Sequence, residues 1–343
     1  MASASLDVHT AHSIAEIKPA EWDALNCPFS SYRWHQYGEA IYKDSTPLYV
    51  MLSRHGEPVA RASFWLTRDE PLPLPPNMAR TVVEAALRRW PLLLCRAPMA
   101  SASCLSLPED PTLREAALKI VAEVAEAYSR QQGVSFLIFD YLQPSAVQIP
   151  GYISLDMPDA GTALSIAWTS FDDYVKQLGK SARKDFNRHR NRAADLGIQI
   201  KTHPQVNRLD EAVALIQNVE RHHQTPLNPR TRAALENAHL VDLTWITAEF
   251  DGRLVGCGAL LGDGDTRALT FLGMDYDVQY VYFQLMYAAI QSAIESGVRV
   301  LWGGTAAYEF KERLGFERMA NNQIVFTASN RMVGRALRYL VAS

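Results

Sequence analysis

Apolar residues recur every three to four positions in "AEWDAL" and "YRWHQYGEAIY", which predicts two short helices near the start of the chain. Strand-like runs replace them in "PLYVMLSRHGEPVARASFWL", where two strands flank a His-Gly-Glu-Pro turn and form a hairpin. The Pro-rich "DEPLPLPPNMA" reads as an exposed connection. Helical spacing returns in "PTLREAALKIVAEVAEAYSRQQG" and stops at Gly133, and "VSFLIFDYL" is apolar enough to be a buried strand.

The second half has a related and clearer order. "IQIKTH" is a strand, and "RLDEAVALIQNVERHH" and "RTRAALENA" are helices. Three meandering strands follow, "DLTWITAEF", "RLVGCGALL" and "TRALTFLGM", with Asp251-Gly252 and "GDGD" turning the chain between them. Helix "VYFQLMYAAIQSAIESG", strand "VRVLW", a turn at Gly303-Gly304, helix "TAAYEFKERLG" and a last strand near "NQIVFTA" complete the series.

Composition then sets limits. A chain of 343 residues, 48% hydrophobic and 21% charged, buries a real core and predicts two domains. Four scattered cysteines without a CxxC pair predict reduced thiols, with neither a disulfide framework nor a zinc site. The first residues lack a basic region followed by an apolar stretch, and no window offers the ~18 apolar residues that cross a bilayer. The expectation is a cytoplasmic protein without membrane span or metal.

Net charge is only −3, which argues against a general nucleic-acid coat or a membrane-surface protein, yet Lys180, Arg183, Lys184, Arg188, Arg190 and Arg192 stand together with one acid, Asp185. In "SFDDYVKQLGKSARKDFNRHRNRAADLG", Ser170 and Asp173 predict a capping box for a short helix ending near Gly179. A second helix, 180–196, then places Ala182, Phe186, His189, Ala193 and Leu196 on one stripe and the cations on the other side. His189 is read as a core histidine. Uncompensated like charges four residues apart cost a few tenths of a kcal/mol per pair, which favours a phosphate-bearing partner over a merely solvated face.

The element order is that of the GNAT acyltransferase fold. "SFDDYVKQLGKSARKDFNRHRNRAADLGIQI", "ESGVRVLWGGTAAYEFKERLGFE" and "EWDALNCPFSSYRW" together resemble the Fem-type (FemAB-like) and BioF2-like acetyltransferase branch. The resemblance implies an α/β (α+β) tandem of two GNAT-like domains, 1–160 and 161–343, each a mixed, mostly antiparallel sheet flanked by helices. It implies transfer of an acyl or aminoacyl group from a coenzyme A thioester, an acyl-carrier protein or a charged tRNA to an amine acceptor, with no tightly bound cofactor.

Such chemistry needs a neutral amine, donors for an oxyanion and a grip on the leaving carrier. Lys311 is the expected oxyanion donor, and Tyr308, one turn earlier, a donor to the leaving group. His222 with His223, or Asp275 and Asp277, are candidate bases. Arg183, Lys184, Arg188, Trp302 and Gly304 are expected to bind substrate.

One departure stands out. An ordinary GNAT holds the coenzyme A pyrophosphate on a glycine-containing loop at a helix N-terminus, whereas "DYDVQYVYFQLMYAAI" has no glycine after Met274. Close backbone approach is then harder. The carrier would rest on Gln279, Tyr280 and Tyr282, with aminoacyl-tRNA or a carrier protein favoured over acetyl-CoA. Two rivals follow: a conventional acetyl-CoA N-acetyltransferase using side chains in place of the loop, and a catalytically degenerate nucleic-acid or nucleotide-sugar binding protein.

Overall fold

The computed structural model describes residues 6–25, 27–71, 78–143 and 148–330. They form two compact units, one taking the chain to Pro158 and again from Asn321, the other Asp159–Ala320.

The first unit runs β1 (Asp7–Ala11), α1 (Pro19–Asp23), α2 (Tyr32–Ile41), β2 (Leu48–Arg54), β3 (Glu57–Thr67), α3 (Met78–Arg89), β4 (Leu92–Cys95), β5 (Leu105–Ser106), α4 (Pro111–Gln132), β6 (Phe136–Leu142) and β7 (Ile153–Asp156). The second runs β8 (Thr162–Ser165), α5 (Phe171–Gln177), α6 (Lys180–Asp195), β9 (Gln199–His203), α7 (Leu209–His222), α8 (Thr231–Glu236), β10 (Asp242–Phe250), β11 (Arg253–Asp263), β12 (Thr266–Met274), α9 (Val281–Glu295), β13 (Val300–Gly304), α10 (Tyr308–Arg313) and β14 (Glu317–Arg318). The last strand, β15 (Gln323–Ala328), belongs to the first unit.

Local chemistry explains most boundaries. The β2–β3 hairpin closes between Arg54 and Glu57 with His55 and Gly56 both left-handed, at φ 55 and 85, as a two-residue turn of matching twist requires. Asp110 accepts from the Leu113 N–H, Pro111 opens α4, and Gly133 at φ 64 ends it. Ser170 caps α5 by accepting from the Asp173 N–H at 3.2 Å, while the Asp173 carboxylate bonds the Ser170 hydroxyl, so only half of the expected box forms. The Pro-rich connection lies largely outside the described residues.

Both sheets share one plan. The first is ordered β1-β2-β3-β4-β6-β15-β7, with β5 beside β3, and the second β14-β8-β13-β12-β11-β10-β9. Each is antiparallel apart from one parallel pair joined through a helix, β4 to β6 through α4 and β12 to β13 through α9.

The division 1–160 and 161–343 is corrected at its far end. β15 forms where "NQIVFTA" predicts a strand, but it lies between β6 and β7 of the first sheet, with Phe326 opposite Ile138 and Ile153. Apolar patterning marks a strand and leaves its partners open.

Two glycines set how the helices of the second unit approach its sheet. A Cβ on Gly256 would lie 2.3 Å from Val281 of α9, and one on Gly273 would lie 2.7 Å from the Ile216 nitrogen of α7. Gly273 pairs with Cys257, the neighbour of Gly256, so these two glycines face opposite sides of the sheet. α9 therefore covers one side and α7 the other. Tyr174, Ala182 and Phe186 of α5 and α6 join the core on the α9 side.

Candidate functional site

The parallel pair of the second sheet opens almost as soon as it forms. Thr266, Arg267 and Ala268 face Val300, Leu301 and Trp302, and no further pairing links β12 to β13 among the described residues. Two irregularities accompany the opening. Opposite β11, Thr270 is skipped between Leu269 and Phe271; opposite β8, Gly303 is skipped between Trp302 and Gly304. Such bulges bend a strand and increase its twist. Beyond Ala268, β12 therefore offers a free backbone edge at the carboxyl end of a parallel pair, a common ligand position in α/β sheets.

Lys311 lies beneath the loop that leaves β13, bonding carbonyls that begin two residues past Trp302, the last residue of β13 paired to β12. Its side chain is buried, the residue only 3% exposed, and Nζ donates to the carbonyls of Thr305 at 2.8 Å and Gly304 at 3.3 Å. Burial pushes the ammonium down to about 8. The loop it ties is wound tightly, with Gly304, Ala306 and Ala307 at φ 69, 65 and 48. Thr162 Oγ1 donates to the same Gly304 carbonyl at 2.7 Å. Trp302 is half-buried and Gly304 exposed at the end of β13. Tyr308 donates its hydroxyl proton to Ala160 O at 2.8 Å and carries the Arg318 guanidinium over its ring at 4.3 Å. That proton is engaged, although the phenolic oxygen still has accepting capacity.

The loop after β12 leads into α9. Tyr280 stands before its first residue with φ 70, the left-handed turn that glycine adopts freely and tyrosine adopts at a cost. The lack of glycine has thus not prevented the turn. Gln279 is exposed beside it, whereas Tyr282 packs on Phe283 and Phe310, and burial pushes its hydroxyl up to about 12.

α6 is anchored against this corner. His189 stacks on Phe283 at 3.9 Å and its Nδ1 lies 3.0 Å from the Tyr287 hydroxyl, while Gln284 donates to His189 O. It is the core histidine its stripe predicts. Leu196 departs from the stripe and is exposed, because the helix has ended by then.

Asp185 does more than sequence allows for: it pairs with Arg188 at 2.8 Å and with Arg313 of α10 at 3.3 Å. Arg188 is therefore compensated. Arg183 donates to Lys176 O, and Lys184, Arg190 and Arg192 have no ion-pair partner among the described residues. A groove of about 450 Å³ runs between α5, α6 and α9, lined by Phe171, Asp172, Phe186, Arg190 and Tyr287 among others. Neither Lys311 nor Tyr308 lines it.

The other candidates gather where α7 ends beside β12. His222 stacks on Tyr276 at 3.8 Å, and His223 Nε2 lies 3.2 Å from the Tyr276 hydroxyl. Asp275 bonds Val255 O through its backbone and accepts the Asp277 N–H at 3.0 Å, which makes an Asx-type turn.

Glu220, two residues before His222 in α7, escapes notice in the sequence. Its Oε1 accepts the Asn228 N–H, its Oε2 is buried without a partner, and burial raises its pKa. Burial was the missing signal. Among the described residues no group of His, Cys, Asp or Glu is arranged to hold a metal ion, and no helix is long and apolar enough to cross a membrane.

A family model described as peptidoglycan biosynthesis/recognition, FemAB-like, matches residues 13–343. The chain belongs to the FemAB-like family. Its fold is that of tandem GNAT proteins. The structure of FemX superposes on this FemAB-like chain with a TM-score of 0.63 at 10% identity, covering 92% of this chain and 96% of that one. A tandem GNAT protein from the clavulanic acid biosynthesis pathway gives 0.57 at 12% identity, covering 95% and 99%. No curated protein matches the FemAB-like chain in sequence.

Proposed function

We propose that this FemAB-like protein forms an amide by moving an acyl or aminoacyl group from a phosphate-bearing carrier to an amine, at the open ends of β12 and β13. The observation that carries this reading is the buried Lys311 bonded beneath the 304–307 loop, which follows the end of the β12–β13 pairing at Trp302. Membership of the family supports acyl transfer in general.

In the reaction the amine nitrogen bonds to the carbonyl carbon, the carbonyl oxygen takes up negative charge, and the bond to the carrier breaks. Lys311 supplies positive charge next to the forming oxyanion. The amine proton passes to a base on the α7 side, where His222, Asp275 and Glu220 are the candidates. The N-terminus of α9, turned by Tyr280, and the cations of α6 hold the carrier's phosphates. None of the four cysteines, all among the described residues, is in a disulfide.

A second reading is favoured by the hydroxyl of Tyr308 and the ammonium of Lys311, which are both bonded to backbone carbonyls. It is a binding protein of the same fold without turnover.

Thermal unfolding with coenzyme A, acetyl-CoA and bulk charged tRNA, each at low and moderate salt, tests the carrier. A ligand at 100 times its Kd adds about 2.7 kcal/mol. Stabilisation by one carrier, with amide formation lost in Lys311→Ala, supports transfer. Stabilisation without turnover on any amine supports the binding protein.

A further inference from the structure

One corner of the first unit brings exposed arginines and an exposed tryptophan together, and the transfer site uses none of them. α3 packs Leu87 against Leu92 and Leu94 of β4, and the chain then turns outward at Arg88, Arg89 and Trp90. Trp90 is 54% exposed, the most exposed large apolar side chain among the described residues. Arg88 and Arg89 are exposed with no ion-pair partner among the described residues. Arg68 Nη1 donates to Arg88 O at 3.0 Å, so its guanidinium caps this helix end.

The corner is fixed in place. Ser135 Oγ donates to Trp90 O at 3.0 Å and Pro91 O at 3.1 Å, and the Ser329 N–H donates to Ser135 O at 3.0 Å. Among the described side chains, Asp69 accepts from Thr67 and Glu126 is paired to Arg130 at 3.7 Å. Residues 331–343 of the sequence carry Arg331, Arg335 and Arg338 and no Asp or Glu. Net charge over the whole chain averages this end away.

We propose that this corner docks on an anionic lipid bilayer surface, with Trp90 at the headgroup level and Arg68, Arg88 and Arg89 on the lipid phosphates. Tryptophan suits the boundary because its ring is amphipathic. Each arginine near an anionic surface contributes about fivefold in partitioning. An exposed indole beside exposed guanidinium groups fits a bilayer better than a purely charged polyanion, which needs no apolar wedge.

The test is co-sedimentation of the full chain with phosphatidylcholine vesicles and with vesicles containing phosphatidylglycerol. Partitioning onto the anionic vesicles alone, weakening with salt, is expected. Arg88→Glu/Arg89→Glu should lower it at least ~25-fold, and Trp90→Ser should weaken vesicle binding without changing retention on heparin. A control, Lys184→Glu/Arg190→Glu on α6, should keep vesicle binding whatever happens to carrier binding.

Equal partitioning onto both vesicle types, or no effect of Trp90→Ser, overturns the assignment. So does a chain ending at Asn330 that loses all partitioning while Arg88→Glu/Arg89→Glu keeps it, since binding then belongs to the tail. Thermal unfolding of each variant verifies that it is folded, and Trp90→Ser, altering an exposed ring, remains informative if the double variant is not.

Discussion

Lys311 combines two properties that separate under mutation. An ammonium buried against carbonyls is costly, and Thr162 continues to satisfy Gly304 O when the lysine is gone. Lys311→Met should therefore unfold at the same or higher temperature while transfer falls by ~100-fold or more, the usual effect of losing an oxyanion donor. The linkage runs in a definite direction. Its folded pKa, about 8, lies below the ordinary 10.5, so the unfolded chain holds more protons between those values and stability rises with pH across that window. Denaturant titrations from pH 8 to 10.5 should show the rise in the parent and its loss in Lys311→Met. Glu220 has the opposite sign. Burial raises its pKa, so ionisation opposes folding, and Glu220→Gln should be more stable at neutral pH. If Glu220 is the base, the same change removes turnover while leaving carrier-induced thermal shifts intact.

Among the elements, α7 and α6 make contrasting demands. α7 approaches β12 so closely at Gly273 that a methyl group has no room against the Ile216 backbone. Gly273→Ala should cost about 1–3 kcal/mol, read from denaturant midpoints, and should shift His222 and Tyr276 with the helix. α6 tolerates change on its outer face. Reversing Arg183 and Lys184 should leave stability nearly unaltered, weaken the carrier response and flatten its dependence on salt.

The stripe Ala182, Phe186, His189 and Ala193 was readable in the sequence because helical period reports burial directly. The bulges at Thr270 and Gly303 were not, since a skipped residue depends on the partner strand. Lys311 was singled out by resemblance, but its burial was hidden, for "KERLG" has the composition of an exposed turn. Asp185 looked like a lone acid among cations, and its bond to Arg313 joins residues 128 positions apart.

For the whole molecule, the order of strands matters more than their number. The first sheet is completed by β15, which lies between β6 and β7 although the entire second unit intervenes in the chain. A chain cut after Pro158 should fail to melt cooperatively, because two strand edges are left unpaired. Appending residues 321–330 through a short linker should restore a melting transition in circular dichroism. The alternation in "NQIVFTA" was legible as a strand, and its destination was not, because pairing across such a separation leaves no local trace.

That return of β15 also sets a clock during synthesis. Roughly 160 residues separate Pro158 from Asn321, and a ribosome adding about 5–20 residues per second needs roughly 10–30 s to make them. Throughout that interval the nascent first unit waits with β6 and β7 unjoined, available to chaperones and to neighbouring copies on the same message. Slower translation of the middle of the gene should therefore raise aggregation of the protein, although not one amino acid has changed.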